Sequence, residues 1–160
     1  MTHGPTRLEV IDAHAFWLTE QIVALRASVE SAKDGMRVDG DHRPASRGER
    51  GAVSSQGALR AGLLSRISEL EEARAALTRI EAGVPRVRVG PGALVLVDDE
   101  QNELWLAVLP GGQGNEVCGL VRVVSPRAPM ARALKGLEEG DSAELSRPGG
   151  DVELEVLQVR

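Results

Sequence analysis

Residues 121–160 read VRVVSPRAPMARALKGLEEGDSAELSRPGGDVELEVLQVR, and this stretch decides the fold of the second half of the chain. An apolar run, Val121 to Val124 with Arg122 inside it, stops at Ser125-Pro126. Proline pushes the residue before it out of helical geometry, so Ser125 reads as a strand exit. Met130, Ala133, Leu134 and Leu137 then recur at helical spacing. Pro129 suits the first turn of that helix, where a missing N–H costs nothing. Gly136 and Gly140-Asp141 mark turns. Ala143 and Leu145 lead to a Pro148-Gly149-Gly150 turn. Val152, Leu154, Val156 and Val159 follow, with Glu153 and Glu155 on the other face. This alternation predicts a hairpin with one buried and one wet face.

Working outward, residues 84–124 supply more strands. Val87 and Val89 precede a Gly90-Pro91-Gly92 turn, and Leu94 to Val97 reads as a buried strand. Asp98 to Asn102 is a polar turn. Leu104, Leu106 and Val108 form the next strand, with Trp105 and Ala107 between them. Pro110-Gly111-Gly112-Gln113-Gly114 reads as a loop, and Val117 to Val124 as the returning strand. Five or six short strands and one helix make an α+β domain. The Pro110–Gly114 loop has no following helix and no Lys, so it lacks both parts of a phosphate-binding P-loop. The acids Asp98, Asp99 and Glu100 read as an exposed turn in preference to a cation site.

The first half is helical. Ile11, Ala15, Leu18, Ile22, Leu25, Val29, Ala32 and Met36 are spaced 4, 3, 4, 3, 4, 3, 4, an unbroken heptad seam. No Gly or Pro interrupts the run from Val10 to Asp34. A second seam runs through Leu59, Leu63, Ile67, Leu70, Leu77 and Ile80, with Ala73 or Arg74 filling the turn between. Gly83 and Pro85 read as its stop. Two such helices joined by a polar stretch fold back as an antiparallel coiled-coil hairpin. The expected domains are 1–83, with a hairpin tip at about 37–52, and 84–160. Heptads alone leave open a dimerising coiled coil or a plain helical scaffold.

Composition narrows the classes. Hydrophobic residues make up 42% of the 160 residues, enough for a real core. Aromatics are only Phe16, Trp17 and Trp105, so that core rests on Leu, Val, Ile and Ala. No apolar run reaches the roughly 20 residues of a membrane helix. The N-terminus lacks a signal-peptide layout. Cys118 is the single cysteine, which excludes an intrachain disulfide, and it reads as a small buried hydrophobe. These features point to a cytoplasmic protein. Residues 1–80 hold 11 basic and 11 acidic side chains and residues 81–160 hold 8 and 13, so the whole net charge of -5 lies in the second half. Stable direct DNA binding is not expected, because it needs several cations gathered against phosphates.

Residues 124–150 carry a resemblance. The string Val124-Ser125-Pro126-Arg127-Ala128-Pro129-Met130-Ala131-Arg132-Ala133-Leu134, then Gly136 to Gly140-Asp141, then Pro148-Gly149-Gly150, resembles the C-terminal signature of the bacterial Gre transcription factors. Ala128 stands where that family usually has Ser. Arg66-Ile67-Ser68-Glu69-Leu70-Glu71 is similar to the family's R-I-x-E-L-E segment. Residues 1–45 match only in pattern. The resemblance implies an N-terminal coiled-coil hairpin followed by an FKBP-like domain. It further implies RNA polymerase as the partner, no membrane, a monomer, and insertion of the hairpin into the secondary channel. Ser125, Pro126, Arg127, Pro129, Met130 and Arg132 would help to seat the protein on the polymerase. Arg127 and Arg132 are the exposed members to expect.

The tip is where the chain departs from that family. Typical Gre factors carry an acidic pair there, which helps to hold a second Mg²⁺ for RNA cleavage by the polymerase. Counting back from Arg66 without gaps, the first acid falls on Ser46 and the second on Glu49. Arg47 and Arg50 flank Glu49, and Arg43 lies nearby; cations so placed repel Mg²⁺. Asp39 and Asp41 could serve only in a shifted alignment, and His42 and Arg43 beside them weaken it. The expectation is a polymerase-binding regulator that modulates transcription, with inhibition the favoured sense, that is at most a stimulator of the polymerase's own RNA cleavage and not itself an enzyme, and that needs no cofactor. Mg²⁺ would enter only if the tip worked as in the cleavage factors. The alternatives are an active transcript-cleavage factor using Asp39, Asp41 or Glu49, and an FKBP-type prolyl isomerase. Against the latter stand the few aromatics and the rule that a fold does not fix a function.

Overall fold

The computed structural model describes residues 3–35 and 47–160. The chain divides into two compact units, Leu18–Glu72 and a second made of Met1–Trp17 with Ala73–Arg160. Two long helices run through them, α1 (Arg7–Gly35) and α2 (Arg47–Leu77). The start of α1 is set by Thr6 and Glu9. The Thr6 N–H donates to Glu9 Oε2 at 2.7 Å and the Glu9 N–H donates to Thr6 Oγ1 at 3.2 Å. This reciprocal capping box satisfies donors that the first turn leaves free. The Thr6 N–H and the Thr6 hydroxyl, which donates to Glu9 Oε2 at 2.9 Å, hold the Glu9 carboxyl below its ordinary pKa.

Within Leu18–Glu72 the helices pair antiparallel. Arg26 donates to Glu71. Val29 and Glu30 lie beside Leu64 and Ile67, and Ser31 and Ala32 beside Leu59 and Leu63. Rising numbers on α1 thus meet falling numbers on α2. Leu18, Ile22, Val29, Ile67 and Leu70 are buried, as the seams predict. Leu59 is not: it is 59% exposed, because the residues beside it on α1, Ala27, Ser28, Ser31 and Ala32, are too small to cover it.

Helix α2 starts at Arg47, well before the first predicted seam residue at Leu59. Residues 47–52 of the expected tip are therefore helical despite Gly48 and Gly51. At its other end the helix stops at Leu77, short of Ile80 and Gly83. The chain tightens there into three-residue bonds: Thr78, Arg79 and Ile80 N–H groups donate to the Ala75, Ala76 and Leu77 carbonyls. The Arg7 guanidinium then takes the Glu81 and Val84 carbonyls.

The unit containing Ala73–Arg160 is built on a six-stranded sheet, β1 (Leu94–Asp98), β2 (Glu103–Val108), β3 (Gln113–Val117), β4 (Val121–Val124), β5 (Ser142–Arg147) and β6 (Gly150–Val159). Its order is β3-β4-β2-β1-β6-β5. All neighbours are antiparallel except β2 and β4, which run parallel with Trp105 opposite Val121. A short helix, α3 (Pro129–Leu134), crosses from β4 to β5. Its Ala131 and Leu134 join Val95, Val97, Leu106, Val108, Leu145, Leu154 and Val156 in one core. Pro129 stands in its first turn, as expected. The α+β class read from the sequence is the one observed.

Two sequence irregularities become register devices. Val97 pairs with Val156 but Leu96 pairs with Gln158, so Leu157 is an extra residue in β6. That bulge explains why the apolar spacing steps by two to Val156 and then by three to Val159. In β3 a second bulge falls at Gly114, whose φ is +77°.

Three expectations are corrected. Gln113 and Gly114 belong to β3, not to the preceding loop. The segment Val117 to Val124 is not one strand: Cys118-Gly119-Leu120 turns β3 into β4, and Val117 pairs with Val121. Cys118 is consequently exposed, not buried, since this turn requires φ of +53° at Cys118 and +73° at Gly119 and places position 118 at a hairpin tip. Its Sγ lies 3.8 Å from the Glu9 carbonyl, and partial desolvation with the Glu9 charge pushes its thiol pKa up.

Candidate functional site

The segment from Ser125 to Leu134 is held from three sides. From behind, Leu109 N–H donates to the Val124 carbonyl at 3.0 Å, ending β4. Ala128 N–H donates back to Ser125 O at 3.0 Å, closing a turn over Pro126-Arg127, and Arg132 N–H donates to Ala128 O at 2.9 Å, opening α3. From beneath, Ala131 and Leu134 are anchored in the core. From the side, the Pro110–Gly112 loop presses against Val124-Ser125. A Cβ on Gly112 would collide with the Val124 carbonyl carbon, so only glycine allows this approach.

What this scaffold presents is a short arginine-bearing ridge. Arg127, Pro129 and Arg132 are exposed, and Ser125, Pro126 and Met130 are half-buried. Met130 packs against the core, so its role is shared between structure and surface. No ion pair among the described residues involves Arg127 or Arg132. The six docking candidates thus form one continuous surface segment, with the two guanidinium groups as its outward charges.

Sequence reasoning passed over the residue that braces the Pro110 loop. His14 of α1 is fully buried. Its Nε2 lies 2.8 Å from the Pro110 carbonyl, and its Nδ1 lies 3.4 Å from Asn115 Nδ2. The Gln113 N–H donates to Asn115 Oδ1 at 3.1 Å, which leaves the Asn115 amide to donate to the ring. The network therefore assigns His14 the neutral tautomer protonated on Nε2, with every ring nitrogen satisfied. Trp17 stacks on it, with centroids 5.7 Å apart. Burial lowers the imidazole pKa, against a smaller opposing effect of the Pro110 bond. The available signal was position: Val10, His14 and Leu18 form a stripe beside the Ile11-Ala15 seam.

The tip is described only in part. Asp39, Asp41 and Arg43 lie outside the described residues, as does Ser46. Arg47 and Arg50 are exposed in the first turn of α2, on either side of Glu49 in sequence. Because α2 is unbroken from Arg47 to Leu77, the 18 residues from Glu49 to Arg66 span about 26 Å along one axis. Of the two aligned positions, Ser46 and the side chain of Glu49 lie outside the described residues. Among the described residues no three His, Cys, Asp or Glu side chains gather to hold a metal. The Asp98–Asn102 turn uses its acids internally. Asp98 Oδ1 accepts from the Glu100 N–H at 2.9 Å, and Asp99 Oδ1 from the Asn102 N–H at 3.0 Å. No helix among the described residues is long and apolar enough to cross a membrane.

Comparison with known proteins converges on the same half of the chain. Residues 85–160 match the family described as transcription elongation factor, GreA/GreB, C-terminal. Transcription elongation factor GreA of a Nitratiruptor species is 34% identical over 98 residues, covering 59% of this chain and 58% of that protein. GreA of Rhizobium leguminosarum bv. viciae is 34% identical over 99 residues, covering 59% and 60%. The chain thus spans about three-fifths of the length of the curated relatives it matches. Among solved structures, the GreA factor homolog 1 (Gfh1) protein of Thermus thermophilus aligns over 91% of this chain and 94% of its own at 23% identity. Its TM-score of 0.38 is too low to carry over an arrangement. Residues 85–160 thus match the GreA/GreB C-terminal family, and over about three-fifths of its length the chain is similar to transcription elongation factor GreA.

Proposed function

We propose that this protein binds RNA polymerase through the Ser125–Leu134 ridge, inserts its helical hairpin into the secondary channel, and inhibits transcription without stimulating RNA cleavage. The family match over residues 85–160 is the observation that supports polymerase as partner. The ridge supports docking there, because two guanidinium groups with no ion pair among the described residues offer donors to acidic side chains and geometry-specific pairing. Support for inhibition comes from the tip chemistry. Cleavage in a two-metal site needs carboxylates that add negative charge beside the second cation. Here the aligned positions carry Ser46 and a Glu49 flanked by Arg47 and Arg50. Such a tip adds positive charge where a metal would have to sit, and arginines suit phosphate oxygens or acidic side chains instead.

The docking part is tested by reversing both charges. The double variant Arg127→Glu/Arg132→Glu is expected to weaken polymerase binding at least about tenfold in a titration with core enzyme, since each guanidinium–carboxylate hydrogen bond is worth roughly 1.5–3 kcal/mol. Both side chains are exposed, so the variant should keep its fold. Unchanged affinity of a folded variant would remove the ridge from the interface.

A further inference from the structure

Three arginines outside the docking ridge meet at a hollow of about 330 Å³. Its walls include Thr6, Arg7, Gly83, Pro85, Arg86 and Arg160, and among the described residues no Asp or Glu side chain lines it. Arg7 is only 6% exposed. Its Nη2 donates to the Glu81 carbonyl at 2.7 Å and its Nη1 to the Val84 carbonyl, but its buried Nε–H has no partner among the described residues. Arg86 lines the same hollow. Arg160 is held 4.9 Å above the Trp105 ring, with bonds of 3.3–3.4 Å to the Gly4 and Pro5 carbonyls and Gln158, long for N–H···O. No ion pair among the described residues reaches any of the three.

Main-chain carbonyls satisfy hydrogen bonds but do not neutralise charge. Placing guanidinium groups together, one of them buried, with no acidic side chain among them is costly unless an anion completes the set. The repulsion is visible in Arg7, whose pKa is lowered by burial and by the Arg86 charge. We propose that this hollow is an oxyanion site for the phosphate group of a small phosphorylated ligand. A phosphate monoester carries about -1.5 to -2 charges and three acceptor oxygens, which answers several guanidinium forks better than a single carboxylate does. The volume lies at the lower end of small-molecule sites. A bound phosphate would bridge the residues preceding α1, the turn after α2 and the end of β6. This site does not depend on polymerase binding.

The test uses the full chain and inorganic phosphate, followed by NMR of backbone amides and arginine Nε–H groups at constant ionic strength. Saturable shifts confined to Arg7, Gly83, Arg86 and Arg160 are expected, with acetate giving none of comparable size. Arg86→Glu is expected to weaken phosphate at least about tenfold, given the strength of hydrogen bonds to charged groups. Arg88→Glu, on a neighbouring arginine paired with Glu138 at 2.8 Å, should leave it unchanged. Should Arg86→Glu lose its fold, Arg86→Gln and Arg160→Gln provide the same reading. Shifts that never saturate, equal response to acetate, or folded Arg86 and Arg160 variants that bind phosphate as tightly as the parent would overturn the proposal.

Discussion

The sheet-containing unit and the helical unit bury their apolar residues in different ways. In the sheet unit, side chains from strands β1, β2, β5 and β6 and from α3 close around Leu134 and Leu154, both fully buried. In the helical unit, Leu18, Ile22, Val29, Ile67 and Leu70 form a thin seam, while Val23, Leu59 and Leu64 remain 60%, 59% and 46% exposed. A closed core fixes the position of every surface residue above it; a single seam fixes only which helix faces lie together. The proposed docking ridge therefore stands on the unit that can hold guanidinium groups in register, and the helical unit carries its charges along a helix pair.

Cavity substitutions are the harshest way to probe this contrast. Leu134→Ala is expected to cost about 2–5 kcal/mol, the range for truncating a buried leucine. Urea denaturation of the whole chain would measure it, and the Ser125–Leu134 ridge should lose its amide protection first because α3 hangs on that side chain. A cost below about 1 kcal/mol would mean that the core is looser than its burial implies.

His14 gives a smaller and pH-dependent effect. Its folded pKa is lowered, so between that value and its ordinary value near 6.5 the unfolded chain binds a proton that the folded chain refuses. Its contribution to stability is complete above about pH 6.5 and is lost as pH falls through the lowered folded value. Urea midpoints should therefore drop on acidification, and His14→Gln should flatten this part of the profile while lowering the midpoint at neutral pH. An unaltered slope in the variant would assign the acid sensitivity to other groups. At the bottom of the scale, Leu59→Ala in the helical unit is expected to change stability by less than about 0.5 kcal/mol, as for exposed sites. A loss in the range of Leu134→Ala would show Leu59 to be covered in solution.

Much of the sheet unit was legible in advance. The alternation in 143–156, the Pro148-Gly149 turn and the Pro129 helix start all follow from local stereochemistry, and each stands in the structure. Misreadings arose where two conformations share one pattern. Val117-Cys118-Gly119-Leu120-Val121 is apolar enough for a strand, and Gly119 was the only sign of the hairpin tip that exposes Cys118. The capping box at Thr6 and Glu9 was written in the sequence, but the heptad seam begins only at Ile11 and did not point to it. His14 could not be placed from sequence because its partners, Pro110 and Asn115, lie about a hundred residues away and are brought to it only by folding. Likewise the arginine hollow joins residues 7, 86 and 160, which no local pattern connects.

Transcript cleavage in backtracked RNA polymerase complexes, with Mg²⁺ and the purified protein, tests the central proposal most directly when a multi-round transcription assay is run alongside it. Reduced full-length transcript with no RNA shortening is the predicted result. Shortened RNA that disappears on Glu49→Gln, or on joint replacement of Asp39 and Asp41, would contradict it and make those acids metal ligands despite the arginines around them.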